Sequence, residues 1–356
     1  MCIISLTTIE RDPINHRQVY TGVNSLLKVG HSMLREHDKS EDPFMIVAGG
    51  STQGASALSD LGCEREFNED RCGLVQSSNN KTWIVCDGMG GVAGGEVAAQ
   101  LAIDSMKRYL ERDSQEEASA DILVQAMREA NRVVVLRRQN QAFSAMGTTM
   151  IAAFFNRDEV VIGHVGDSRA YLIRDGAVQQ ITVDHTYVQS LVERGEIQAE
   201  EALTHPEAHV LTRCIGADPS LEVDTQRFWL WPNEHADEGD ILLLCTDGLY
   251  SLVPDVEIGQ VASTMSPQEA CEKLIDLARA RGGYDNITVA IVPLLGQLKQ
   301  SPHPNGGDLR ERAKSAPVRR SGVKLGFAKQ LLLLAVMSGI AALVTVVGFL
   351  AMKFFR

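Results

Sequence analysis

The chain is short of the groups that announce several common chemistries. Its seven cysteines (Cys2, Cys63, Cys72, Cys86, Cys214, Cys245 and Cys271) contain no CxxC pair and no zinc-type spacing, which argues against a cysteine-ligated zinc centre. The odd, scattered count suits a reducing compartment, and Cys86 and Cys245, each ending an apolar run, read as buried small hydrophobes. No basic stretch followed by a sustained apolar run opens the chain, so no signal peptide is expected. Positive charge is also scarce outside the tail. From Gln297 onward there are 10 Lys/Arg against 2 Asp/Glu, a net +8 that leaves -20 on the rest of a chain whose total is -12. A body this acidic repels nucleic acid, whose binding depends on neutralising phosphates. Most of these carboxylates serve solubility, but any that converge could hold divalent cations.

With 356 residues, 44% hydrophobic and 22% charged, the composition is that of a globular protein with room for one large domain and appendages. Residues 1–55 carry no clear pattern; they are expected to be an unassigned leader, with Met33 or Met45 as an alternative start and a small extra element as the other option. From 56 to 295 the pattern is dense. Apolar runs rich in β-branched residues predict strands at 82–86, 148–155, 160–165, 241–245 and 287–292. Helical spacing appears at 95–111 and 122–138, and Ser266-Pro267 opens a third helix with Glu269 in its first turn. Tyr171 to Ile181 reads as a hairpin on an Asp175-Gly176 turn. Strands outnumber βαβ alternations, so the fold class expected is α+β: antiparallel sheets covered by helices. Residues 296–330 read as a polar, basic linker rich in Pro, Gly and Ser.

Residues 331–352 then run 22 positions without a charge. A helix of that length spans roughly 33 Å, enough to cross a hydrocarbon core. Lys314, Arg319, Arg320, Lys324 and Lys329 precede it and only Lys353 and Arg356 follow. The basic flank is expected to stay inside, giving a single-pass anchor in a bacterial inner membrane with the folded body in the cytoplasm.

Three segments share one form, an apolar strand meeting an aspartate at a turn: WIVCDGMGG around Asp87, LLLCTDGL around Asp247, and DNITV from Asp285. A fourth, HVGDSRAY, holds Asp167. Taken singly, Asp-Gly is more often only a turn, as at Asp175-Gly176. Strand ends at one edge of a sandwich, however, let distant carboxylates meet, and these cannot all stay ionised without compensating cations. Oxygen-only ligands favour Mg²⁺ or Mn²⁺ over zinc.

Upstream, Ser59-Asp60-Leu-Gly62-Cys-Glu-Arg65-Glu-Phe-Asn68-Glu69-Asp70 completes an ordered set with DGMGG, Gly147-Thr148-Thr149, GDSR, TDGL and DNIT. As a set these motifs resemble the PPM family of PP2C-like protein phosphatases in its bacterial form, over roughly residues 56–293. The resemblance implies two stacked antiparallel sheets flanked by helices and hydrolysis of phosphoserine and phosphothreonine on proteins. It implies that Asp87 bridges two Mn²⁺ or Mg²⁺ ions with the Gly88 carbonyl on one. Asp247 and Asp285 would complete the other, and Asp167 with Asp247 would hold a third, weaker ion. Arg65 would grip the phosphate, Glu69 and Asp70 would hold metal-bound waters, and 183–216 would be a flap beside the site. A water between two such ions is acidified and can attack phosphorus in line. A planar guanidinium fits two phosphoryl oxygens at once. Some animal members carry His where this chain has Met89, and Met89 cannot protonate the leaving oxygen.

Other phosphate chemistries lack their residues. None of the cysteines has Arg six positions on (Cys63, Cys86 and Cys245 meet Glu69, Val92 and Ser251), no DxD pair exists for an aspartyl-phosphate route, and no GxxxxGK[ST] loop is present. The alternative of another class is a non-catalytic, membrane-tethered pseudophosphatase that binds phosphoproteins. The partners expected are phosphorylated proteins and a Ser/Thr kinase that the enzyme opposes, with a monomeric catalytic domain.

Overall fold

The computed structural model of the chain describes residues 54–77, 80–90, 94–112, 119–232 and 239–300, together with the backbone of three short strands nearer the N-terminus. The expected membrane span at 331–352 and the linker beyond residue 300 lie outside the described residues. Among the described residues, no helix is long and apolar enough to cross a membrane.

Strands that are apolar at every position need cover on both faces, and here they find it. The first sheet is ordered Ile9–Arg11, Gln18–Thr21, Phe44–Val47, Ser56–Asp60, Ile287–Pro293, Ile241–Cys245, Arg169–Arg174, Ala177–Gln180. The second is ordered Gly296–Lys299, Asp224–Pro232, Glu159–Val165, Met150–Asn156, Asn80–Cys86, Arg71–Gln76. The two-residue period of a strand then sorts side chains into layers. Trp83, Val85, Ile151, Ala153, Leu242, Leu244 and Val292 form the core between the sheets. Their neighbours Ile84, Cys86, Ala152 and Phe154 face the helices Gly94–Leu110 and Ser119–Arg137. Leu243, Cys245, Val289 and Ile291 face the helices Asp255–Thr264 and Pro267–Ala280. The result is a helix–sheet–sheet–helix sandwich, as expected.

Local signals hold where the chemistry is strong. Ser266 caps the helix Pro267–Ala280, accepting from the Glu269 N–H in a capping box with Pro at the first position. Asp175 and Gly176 both take positive φ (51° and 76°), the turn a two-residue hairpin requires.

Three features depart from expectation. The segment before residue 56 contributes three short strands, with Phe44–Val47 antiparallel to Ser56–Asp60. The pairing of Gln18–Thr21 with Phe44–Val47 is parallel, so the first sheet is not purely antiparallel. The boundary placed at 295/296 falls inside the fold, because Gly296–Lys299 is an edge strand on Asp224–Pro232 with Leu298 buried. Polar bonds hold this strand, which is why it has so little apolar signature. Arg174 donates to both oxygens of the buried Asp240 carboxylate (2.7 Å each) and to the Leu298 carbonyl (2.9 Å); the Leu298 N–H donates to Asp240 (2.6 Å).

Removing Arg174 would leave a buried carboxylate with a single backbone donor from that strand. Arg174→Ala is therefore expected to lower unfolding free energy by about 2–4 kcal/mol in urea titrations. A loss under ~0.5 kcal/mol, the range of ordinary surface substitutions, would show that this bridge does not anchor the edge.

Candidate active site

Both sheets bring acids to the same end of the sandwich. In the second sheet, Arg71 pairs with Cys86, so Asp70 and Asp87 stand side by side just beyond the ladder. Asp167 follows the strand Glu159–Val165 two residues later. In the first sheet, Asp247 opens a short helix directly after Ile241–Cys245, and Asp285 lies two residues before Ile287–Pro293. The neighbouring strand Ser56–Asp60 runs into the loop that carries Arg65 and Glu69. The acids expected from the sequence, with Arg65 and Glu69, thus lie close enough to feel one another's charge.

A shell of hydroxyls and amides positions them. The Thr246 and Thr288 hydroxyls donate to one oxygen of Asp70 (2.9 and 2.7 Å), and Thr288 is linked to Ser59 (2.7 Å). Asn286 braces the 61–69 loop: its amide donates to the Leu61 and Phe67 carbonyls (2.9 and 3.1 Å), and its oxygen accepts from the Glu69 N–H (2.8 Å). Asp87 is fixed through its backbone. Its N–H donates to the Thr149 hydroxyl (2.9 Å), and its carbonyl accepts from the Thr148 hydroxyl and the Thr149 N–H (2.8 Å each). Thr149 also bonds Ser168, beside Asp167 (2.7 Å). The expected single strand 148–155 accordingly breaks at Thr149: Gly147–Thr148 pairs with Gly88–Met89, and the second sheet resumes at Met150.

Gly88 tolerates no side chain, because a Cβ would lie 2.3 Å from the Gly95 carbonyl and 2.5 Å from that of Glu69. Through this close approach the Glu69 carboxylate accepts from the Gly95 N–H (2.9 Å) at the start of the helix Gly94–Leu110. Arg65 stands half-exposed at the rim and donates to Asp285 (2.7 Å). His209, from the segment 183–216, is hydrogen-bonded to Asp247 (3.1 Å). That segment folds as two short helices, Tyr187–Glu193 and Ala199–Ala202.

Thr148, Thr149, Ser168, Thr246, Asn286, Thr288 and His209 are site residues that sequence reasoning did not single out. The first six lie inside or beside the quoted motifs, a signal that could have found them. His209 had none.

Crowding sets the electrostatics. Burial, then the charges of Asp285 and Asp247, push Asp70 up to about 7 despite its two hydroxyl donors. Burial and then Asp247 and Asp184 raise Asp167 to about 8. Asp87 keeps some surface, yet the depth of its carboxylate and then the charges of Asp70, Asp247, Asp167 and Asp285 hold it well above the usual range. Burial also raises Glu69 and Asp285, the latter helped by Asp247. Asp247 Oδ1 is buried with no protein donor. Oxygen donors in excess, mutually repelling, with one orphaned inward, fit hard divalent cations.

A model of the protein phosphatase 2C family matches residues 63–278. The chain belongs to this family. Among curated relatives, the serine/threonine phosphatase stp of Listeria welshimeri is 37% identical over 245 residues, covering 67% of this chain and 94% of that protein. The crystal structure of the Mycobacterium tuberculosis serine/threonine phosphatase PstP/Ppp superposes with a TM-score of 0.60 at 35% identity, covering 67% of this chain and 97% of that one. A structure of the PstP catalytic domain with 2 manganese ions gives 0.57 at 32%, covering 70% and 97%.

A second cluster in this family member, His164, His185 and Asp224, brings one ligand atom each within 4.8 Å of one another. Its hydrogen bonds assign it another role. His185 Nδ1 accepts from the Gly166 N–H (3.1 Å), so the proton sits on Nε2, which faces Asp224 (3.4 Å). His164 Nε2 donates to the Val183 carbonyl (2.9 Å), and the two rings stack at 4.5 Å. His185 thus braces the loop before Asp167, with His164 stacked against it.

The raised carboxylates carry a pH consequence. Between about pH 4, where aspartates of an unfolded chain ionise, and the 7 to 8 reached here, the folded protein holds protons that the unfolded one has lost. Without metal, stability should therefore fall as pH rises across that window. Melting in EDTA is expected at lower temperature at pH 8.5 than at pH 6, with Mn²⁺ reducing the difference. A melting temperature in EDTA that is flat or rises with pH would contradict the crowding.

Proposed function

We propose that the chain is a metal-dependent serine/threonine protein phosphatase in which one cleft divides the work between cation-holding acids and a phosphate-gripping arginine. The observation that carries this reading is the convergence of Asp70, Asp87, Asp167, Asp247 and Asp285 from both sheets, with Arg65 at the rim. Asp87 and the Gly88 carbonyl, with Asp247 and Asp285, would hold two Mn²⁺ or Mg²⁺ ions, and Asp167 with Asp247 a third, weaker one. Such ions neutralise phosphoryl charge and acidify an attacking water.

The chain's own groups do the rest. Arg65 is poised to exchange Asp285 for two oxygens of a bound phosphate, a fit its planar fork allows. Glu69 and Asp70, as acceptors, orient water in the cleft. The Thr148, Thr149 and Asn286 bonds keep these acids in place before substrate arrives, so little reorganisation accompanies reaction. Every expected acid and Arg65 is present, which favours catalysis over the pseudophosphatase alternative.

The substrates in this reading are phosphoproteins modified by a bacterial Ser/Thr kinase. The uncharged run 331–352 would anchor the enzyme in the inner membrane, with the basic flank 314–329 and the catalytic domain in the cytoplasm. The phosphatase domain in this reading runs from residue 56 through Lys299.

Two measurements test these statements. Phosphate release from a phosphothreonine peptide should need Mn²⁺, stop in EDTA, and fall at least ~10³-fold in Asp87→Ala and Asp247→Asn, since each substitution removes charge at the reacting centre. Activity that survives chelation or both substitutions would falsify the mechanism. Truncation after Gln330 should move the protein from the membrane to the soluble fraction; continued membrane association would reject the anchor.

A further inference from the structure

Arg65 is carried by five consecutive exposed residues, Cys63 to Phe67. A stretch with so little buried surface does not fix a long side chain by packing. Its aim depends on the polar contacts at either end of the loop. Beyond it, Asn286 holds Phe67 and Glu69. Before it stands a second tether, made of two groups that the proposed chemistry leaves aside: Asp60 and Arg279.

Asp60 closes the strand Ser56–Asp60 and is buried. One of its carboxylate oxygens accepts from the Gly62 N–H (2.8 Å), and the other accepts from Arg279 Nη1 (3.0 Å). Arg279 comes from the last turn of the helix Pro267–Ala280, which packs on the first sheet. The chain after that helix returns alongside the loop. There the Gly283 carbonyl accepts from the Cys63 N–H (2.8 Å), and Asn286 donates to the Leu61 carbonyl (2.9 Å). Segment 60–63 is thereby laid along 279–286, and just beyond Cys63 the Arg65 guanidinium meets Asp285 (2.7 Å). The Asp60–Arg279 pair closes one end of this seam, and Arg65 stands at the other, open end. Releasing the closed end lets the loop shift, and a displacement of an ångström at a group gripping phosphate can cost ~10²-fold.

We propose that the Asp60–Arg279 pair is a positioning device for Arg65, setting where its guanidinium stands when the substrate phosphate arrives. The inference rests on the phosphatase reading above. Neither residue touches the phosphoryl group in it; both act through Arg65. A pair that merely stapled helix to sheet would leave the phosphate grip unchanged, or weaken it whether or not Arg65 were there.

The test is a double-mutant cycle in the full-length protein. KM for p-nitrophenyl phosphate and the inhibition constant of inorganic phosphate are measured in Mn²⁺ for the parent, Arg279→Ala, Asp60→Asn, Arg65→Ala, and each of the first two combined with Arg65→Ala. Alone, Arg279→Ala and Asp60→Asn should each raise both constants by roughly fivefold or more. On top of Arg65→Ala the same substitutions should add less than ~twofold, because the group they position is gone. Arg279→Lys, which keeps a charge but not the planar fork, should recover part of the loss. If Arg279→Ala does not fold, Asp60→Asn and Arg279→Lys carry the same comparison. Equal losses with and without Arg65, or no loss in the parent background, would overturn the positioning role alone. A parent that leaves p-nitrophenyl phosphate and a phosphothreonine peptide intact in Mn²⁺ would overturn the phosphatase reading, and this inference with it.

Discussion

Mutual repulsion among buried carboxylates is the constraint around which this molecule is arranged. Asp70, Asp87, Asp167 and Asp285 hold their protons more tightly than free aspartates, because burial and then the neighbouring negative charges, that of Asp247 among them, oppose ionisation. An assembly of this kind is unfavourable to folding unless protons or cations balance it. The sandwich tolerates it because its three apolar layers, between the sheets and under each pair of helices, supply the opposing free energy. Stability and cation binding are therefore coupled through the same groups.

The acids do not hold themselves in place. Hydroxyls and amides one step away from the cleft fix backbone and side chains alike. Thr148 and Thr149 tie the Asp87 turn to the strand beside it, and Thr246 and Thr288 point two hydroxyls at Asp70. Asn286 joins the loop of Arg65 and Glu69 to the strand that follows Asp285. His185, beside Asp224 (3.4 Å), does the same for the turn before Asp167. Since Asp224 also pairs with Arg213 (2.7 Å), this last brace reaches the segment 183–216.

Much of the fold was legible because its strands are doubly buried. The runs 241–245 and 287–292 are apolar at nearly every position, and the structure returns them as strands within a residue of those limits. The helix after Ser266 was legible through its capping box, a signal confined to four residues. Elements held by polar contacts were not. Gly296–Lys299 depends on Arg174 and Asp240, far away in sequence, and looked like linker. The strand Asp224–Pro232 begins Asp-Thr-Gln-Arg, with no apolar alternation there to mark it.

At the site the division is similar. Order and residue type alone singled out Asp87, Asp167, Asp247 and Asp285, because each sits in a short motif, and together with Arg65 and Glu69 these motifs carry the likeness to the family. Sequence also placed them at strand ends. Only the tertiary structure decided that His209 reaches Asp247 and that Arg169 spends its charge on Asp184. Those contacts join segments 15 to 38 residues apart, across elements whose packing no local pattern encodes. Local chemistry sets which groups a chain carries to a sheet edge; what they touch there depends on how the layers above them close.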